Sequence, residues 1–172
     1  MFMPHRPLIN GYDFAAAGAK LRGTWAISDF QRLRDKLASA DGTIEYSAEG
    51  VHDMLGRPAL RLTLNGILQL MCQRCLKALD FPVSVDTTLV LARSEGEIDS
   101  LPDDAEEPDR IVAGEAMQVG ELLEDELLLA VPYAPRHERC DTQGKPRTGG
   151  ASSPFSELKS MLGTGGARQR KT

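Results

Sequence analysis

The chain has 172 residues, 41% hydrophobic but only 5% aromatic, enough aliphatic material for one compact domain with an appendage, and no apolar run approaches the ~20 residues that cross a bilayer. Three cysteines, an odd number, argue against a disulfide framework and for a reducing compartment. The formal charge of −5 is uneven: Ser94 to Glu126 holds 13 of the 25 acids and one of the 20 bases, leaving 12 acids against 19 bases elsewhere, a mildly basic remainder that can face phosphates.

Met1 to Asn10 lacks the charged, apolar and small-residue regions of a secretory leader, so the expected location is the cytoplasm. Leu21 to Ile27 predicts a short strand, with Trp25 as a core or rim anchor. Ser28 and Gln31 have capping-box spacing. Phe30, Leu33 and Leu37 then recur at helical intervals with Arg32, Arg34 and Lys36 off the stripe, which predicts a short amphipathic helix over 29–38. Thr43 to Gly50 alternates weakly and predicts a strand. Gly56-Arg57-Pro58 punctuates the chain, and Pro58 is admissible only at a strand start or edge.

The clearest strand follows. Leu60, Leu62, Leu64, Leu68, Leu70 and Cys72 share one parity, and Arg61, Thr63, Asn65 and Gln69 the other, as in a half-buried strand. Gly66 interrupts the apolar face and suggests a bulge or bend. Phe81, Val83, Val85, Leu89 and Leu91 form a second alternating run. The two runs make a hairpin whose tip is Cys72-Gln73-Arg74-Cys75.

Residues 96–109 are acidic, contain Pro102 and Pro108, and read as a solvated loop. Residues 110–117 offer a short edge strand. Val119, Leu122, Leu123, Leu127 and Ala130 form the stripe of a helix over 120–130, ended by Pro132 and Pro135. Its Glu124-Asp125-Glu126 run reads as a solvated face complementing the helix dipole. Residues 142–153 are rich in Gly, Ser and Thr and read as a flexible linker. Phe155, Leu158 and Leu162 then share one face of a segment too short to hold a helix alone, so it must dock on its own domain or a partner. A basic tail, 163–172, follows. The expected architecture is an α+β domain over 1–141: a mostly antiparallel sheet, open or closing toward a barrel, with two helices packed on it. Residues 142–172 form the linker, the short amphipathic docking helix and the tail.

Cys72-x-x-Cys75 and His137-x-x-Cys140 use every cysteine of the chain. Together they have the ligand types and spacing of a closed Cys₃His zinc site. Four protein ligands leave no open position, so such a site stabilises the fold and does no Lewis-acid chemistry. The residues alone leave two other readings open. Cys72 lies on the leucine face and can be a small buried hydrophobe, or Cys72 and Cys75 can be a redox pair, although such pairs usually open a helix after a strand. P-loop, nucleophile-elbow and dinucleotide-binding motifs are absent, and the histidines lack triad spacing. The reading is a binding protein, not an enzyme.

Leu70-Met71-Cys72-Gln73-Arg74-Cys75-Leu76 after a long alternating strand, Glu124-Asp125-Glu126-Leu127-Leu128-Leu129-Ala130-Val131-Pro132 after an acidic loop, His137 before Cys140, and Pro154-Phe155 opening a C-terminal segment together resemble the YceD family, the large ribosomal RNA subunit accumulation proteins. The resemblance runs from about Gly23 to Leu162. It implies a non-catalytic role in synthesis, processing or stability of bacterial 23S ribosomal RNA, with 23S RNA or its precursors and large-subunit assembly intermediates or ribosomal proteins as partners. Some members carry a fuller cysteine cluster after the helix; here that region keeps His137 and Cys140. If the two pairs meet, Arg74, Lys77, Arg136 and Arg139 gather around one clip as candidate RNA-phosphate contacts. The alternative is an adaptor or chaperone that cradles a basic ribosomal protein in the acidic region 95–126.

Overall fold

The computed structural model describes residues 7–99 and 108–140 of the chain. These belong to one compact unit that ends at Cys140. The expected linker, docking helix and tail of 142–172 lie outside the described residues.

The elements run β1 (Leu8–Ile9), α1 (Gly11–Ala16), β2 (Lys20–Ala26), two 3-10 turns (Ile27–Asp29 and Arg34–Lys36), β3 (Leu37–Ser39), β4 (Thr43–His52), β5 (Pro58–Met71), β6 (Ala78–Ala92), α2 (Glu95–Asp99), β7 (Arg110–Val112), β8 (Met117–Gln118) and α3 (Val119–Ala130). The fold is α+β. Six strands form one sheet in the order β2-β4-β5-β6-β7, with β3 also pairing β5. Every pairing is antiparallel except that of β6 with β7. The sheet stays open among the described residues, with β2 and β7 at its ends, so the barrel alternative falls. Among the described residues no helix is long and apolar enough to cross a membrane.

The β5–β6 hairpin is the frame. Its strands pair continuously from Ala59 with Val90 to Met71 with Ala78. Leu60, Leu62, Leu64, Leu68 and Leu70 are all fully buried, while Arg61, Asn65, Ile67 and Met71 face out; the period of two places every second side chain in the core. Pro58 opens β5, as a residue without an N–H should. Gly66 is not a bulge: it pairs in register with Ile44 and Val83. A side chain there would come within 2.6 Å of Ile44 Cδ1, so this glycine permits close strand approach.

The expected helix over 29–38 is also absent. Phe30, Leu33 and Leu37 are buried as the spacing requires, but the backbone makes two 3-10 turns. The Glu124 carboxylate accepts hydrogen bonds from the N–H of Arg32 (2.6 Å) and of Leu33 (3.2 Å). A tertiary acceptor takes donors that an α-helix would bond to its own carbonyls. Glu124 is thus buried, as is Glu126, so the acidic run of α3 is not a solvated face throughout. Arg32 Nε donates to Glu124 (3.1 Å) and its Nη1 to Asp125 (2.5 Å). α3 packs Val119, Leu123 and Leu127 into the same core as Trp25, Phe30, Leu60, Leu64, Leu68 and Leu70. At its C-terminus Val131 N donates to Leu127 O, and Pro132 ends the helix.

Candidate metal centre

β5 ends one residue before Cys72, and β6 resumes at Ala78. The tip between them is a tight loop: Cys72 N donates to Lys77 O at 3.0 Å, and Leu76 N to Cys72 O at 2.9 Å. Leu76 has a φ of 57°, a left-handed conformation that branched side chains seldom adopt. From the other side, the chain leaving α3 turns over 132–135. The buried Pro135 accepts a hydrogen bond from Gln73 N at 2.9 Å. This single backbone bond ties the post-helix segment to the hairpin tip and sets His137 and Cys140 opposite the two tip cysteines.

The four side chains converge. Their candidate ligand atoms all lie within 4.8 Å of one another. Cys72 Sγ is 3.6 Å from Cys140 Sγ, far beyond a disulfide bond, and all three cysteines are free thiols. His137 Nδ1 stands 3.4 Å from Cys75 Sγ and 4.0 Å from Cys140 Sγ. A tetrahedral zinc with bonds of about 2.3 Å to sulfur and about 2.0 Å to nitrogen sets its sulfurs about 3.8 Å apart and its S–N edges about 3.6 Å. The three observed separations, 3.4, 3.6 and 4.0 Å, lie close to those edges, and the whole set spans no more than 4.8 Å, so the residues fit a zinc donor set. His137 Nε2 lies 2.9 Å from the Ala78 carbonyl. That oxygen can only accept, so Nε2 carries the proton and Nδ1 turns its lone pair toward the thiols, the outer-shell arrangement that fixes a ligating imidazole. Cys72 is fully buried, and Cys75, His137 and Cys140 are partly buried.

Ionisation is staged. Burial opposes charge on Cys72, but hydrogen bonds from the backbone of His137, Cys75 and Arg74 and from the Cys75 side chain outweigh it and hold the thiol down to about 5. Burial, reinforced by hydrogen bonding to and repulsion from Cys72 and Cys75, pushes Cys140 up to about 11. One thiolate thus forms readily, and like charge holds back another, the pattern a divalent cation relieves.

The family model described as large ribosomal RNA subunit accumulation protein YceD matches residues 60–160. The chain belongs to the YceD family. No solved structure matches the chain. Within this YceD member the matched stretch begins in β5 and takes in the hairpin, α3 and both halves of the cysteine cluster.

The other expected site residues travel with the cluster. Arg74 and Lys77 stand on the tip loop, Arg136 and Arg139 on the post-helix segment, and all four are exposed; none forms an ion pair with a described residue. The acidic region behaves differently. Arg32 engages Glu124 and Asp125 within the fold, and Glu97 accepts from Arg93 N, so these carboxylates do not stand free for a basic partner. The carbonyls of Ala78 and Pro135, which position the site, carried no sequence signal because they are backbone groups.

Proposed function

We propose that this protein is a non-catalytic cytoplasmic factor supporting accumulation of the large-subunit ribosomal RNA, the bacterial 23S RNA or its precursors. A zinc-held clip would present a basic surface to the RNA. Family membership supports the ribosomal role. The observation that supports the molecular reading is that Cys75 and His137, 62 residues apart, meet in one four-residue donor set, on the two segments that also carry the exposed Arg74, Lys77, Arg136 and Arg139. Cys72, Cys75, His137 and Cys140 would hold the metal, which as a four-ligand zinc would supply folding energy and no open coordination site. Arg74, Lys77, Arg136 and Arg139 would contact phosphates, giving position without base readout.

Two measurements test this. Purified protein is expected to carry about one zinc per chain by elemental analysis, and Cys75→Ser to lose it; a metal-free wild-type protein that keeps the clip would refute the metal. RNA affinity is expected to fall with salt, and Arg74→Ala with Arg136→Ala to flatten the log–log slope by about 1.4 for single strands or about 1.8 for a duplex. An unchanged slope removes these residues from the contact. Under the adaptor alternative, a ribosomal protein would stay bound in a pull-down after nuclease treatment.

A further inference from the structure

We propose that the clip surface takes single-stranded RNA, with Tyr133 as the platform on which an unpaired base stacks; this rests on RNA contact at the clip. Seven aromatic residues lie in the described segments, and six of them are buried or partly buried. Trp25, for instance, stacks on Phe30 and meets Tyr46 edge-on. Tyr133 is the exception. It is 100% exposed and makes no hydrogen bond or ring contact among the described residues. A core role is therefore excluded for it.

Its position is defined. Tyr133 lies in the turn between Pro132 and Pro135, where two fixed φ angles limit the backbone. Two residues of chain span at most about 7 Å, and Pro135 is hydrogen-bonded to Gln73 at the hairpin tip. Tyr133 thus stands two residues from the backbone bond that joins its segment to the loop bearing Arg74 and Lys77, and just before Arg136 and Arg139 in the chain. Leu76, 71% exposed, adds an apolar surface on the same tip loop. A stacking ring among cations that track a backbone is what sequence-tolerant single-strand binding requires. A duplex keeps its bases stacked and offers this ring nothing. Charge favours a polyanion over a basic ribosomal protein as occupant: the two loops, 72–77 and 135–140, hold four cations and one acid, Glu138.

The test uses the full-length protein with an unstructured ribo-oligonucleotide of about 12 residues carrying one 2-aminopurine, and a hairpin duplex of the same charge. Wild type is expected to prefer the single strand and to shift the 2-aminopurine fluorescence on binding. Tyr133→Ala is expected to weaken single-strand binding about tenfold, abolish the fluorescence change, and leave the salt slope and duplex affinity as they were. Tyr133→Phe is expected to match wild type, because the face of the ring does the work. Wild-type single-strand affinity in Tyr133→Ala, with Arg74→Ala still weakened, overturns the stacking role and leaves the RNA reading standing. Equal weakening on both RNAs overturns it as well. A wild-type protein that binds neither RNA overturns both. Loss of a captured ribosomal protein with RNA binding unchanged would reassign the surface to a protein partner.

Discussion

Glu124 anchors the segment that precedes β3, and its removal strands backbone donors of that segment. Its carboxylate accepts from the buried N–H of Leu33, the part-buried N–H of Arg32 and the Arg32 guanidinium. Truncation to Ala leaves the Leu33 donor without a partner out of reach of water, about 2 kcal/mol. The Arg32 donor is partly wet and is worth about 1 kcal/mol. The guanidinium is about half exposed at 48%, so its ion pairs add well under 1 kcal/mol. Glu124→Ala should therefore cost about 3 kcal/mol, a large share of the 5–15 kcal/mol that holds an ordinary domain. Glu124→Gln keeps an acceptor for both amides and should cost about 1 kcal/mol; Arg32→Ala, which leaves both amide bonds in place, should cost no more. Urea unfolding of the three variants measures this as a shift in midpoint at constant slope. If Arg32→Ala proves as damaging as Glu124→Ala, the charge pair and not backbone satisfaction holds the segment, and competition for the Arg32 and Leu33 amides is not what prevents the helix.

Burial, with the charges of Asp109 and Asp125 nearby, raises the Glu126 carboxyl above its ordinary value. Its protonated form therefore favours folding, a contribution complete below about pH 4 and lost as pH rises through the raised value. Glu126→Gln should raise the unfolding midpoint at pH 7, with the difference from wild type closing as pH falls toward 4; a gain independent of pH would refute the assignment. Gly50 gives a sharper steric test. A Cβ there would sit 2.1 Å from the Phe14 carbonyl oxygen and 2.7 Å from Ala15 Cα, both backbone, so Gly50→Ala should displace α1 and cost more than about 2 kcal/mol. A thermal midpoint within a degree of wild type would contradict that packing. With the proposed zinc in place, chelation should speed hydrogen exchange at Gln73, whose amide closes the clip, and at Leu76, whose amide closes the tip loop, before it affects the centre of β5; unchanged exchange at both would refute the metal's role in the clip.

What could be read from residues alone follows from which groups make the contact. Alternation in β5 and β6 exposed the hairpin because side chains obey a strict period of two. The clip was legible because both ligand pairs keep local spacing although they meet at long range. Phe30, Leu33 and Leu37 were correctly placed in the core, yet in the wrong backbone, since Glu124 competes for their amides from 91 and 92 residues away and no local pattern encodes that. Strand β1 and helix α1 were not anticipated. Asn10, whose side chain caps α1 through Asp13 N, was the available cue. The parallel pairing of β7 with β6 likewise carries no signature in three residues.

The wide separation of the ligand pairs along the chain imposes an order on assembly. Cys72 and Cys140 are 68 residues apart, and a cross-link over that span removes about 4 kcal/mol of freedom from the unfolded chain on loop-entropy grounds. A nascent polypeptide offers two thiols first and its imidazole and last thiol only once β6, β7 and α3 have been translated. Two donors hold a cation weakly where four hold it firmly. Under the proposed zinc clip, tight loading would mark finished synthesis: a fragment ending before residue 137 would keep the tip of the hairpin but not the grip.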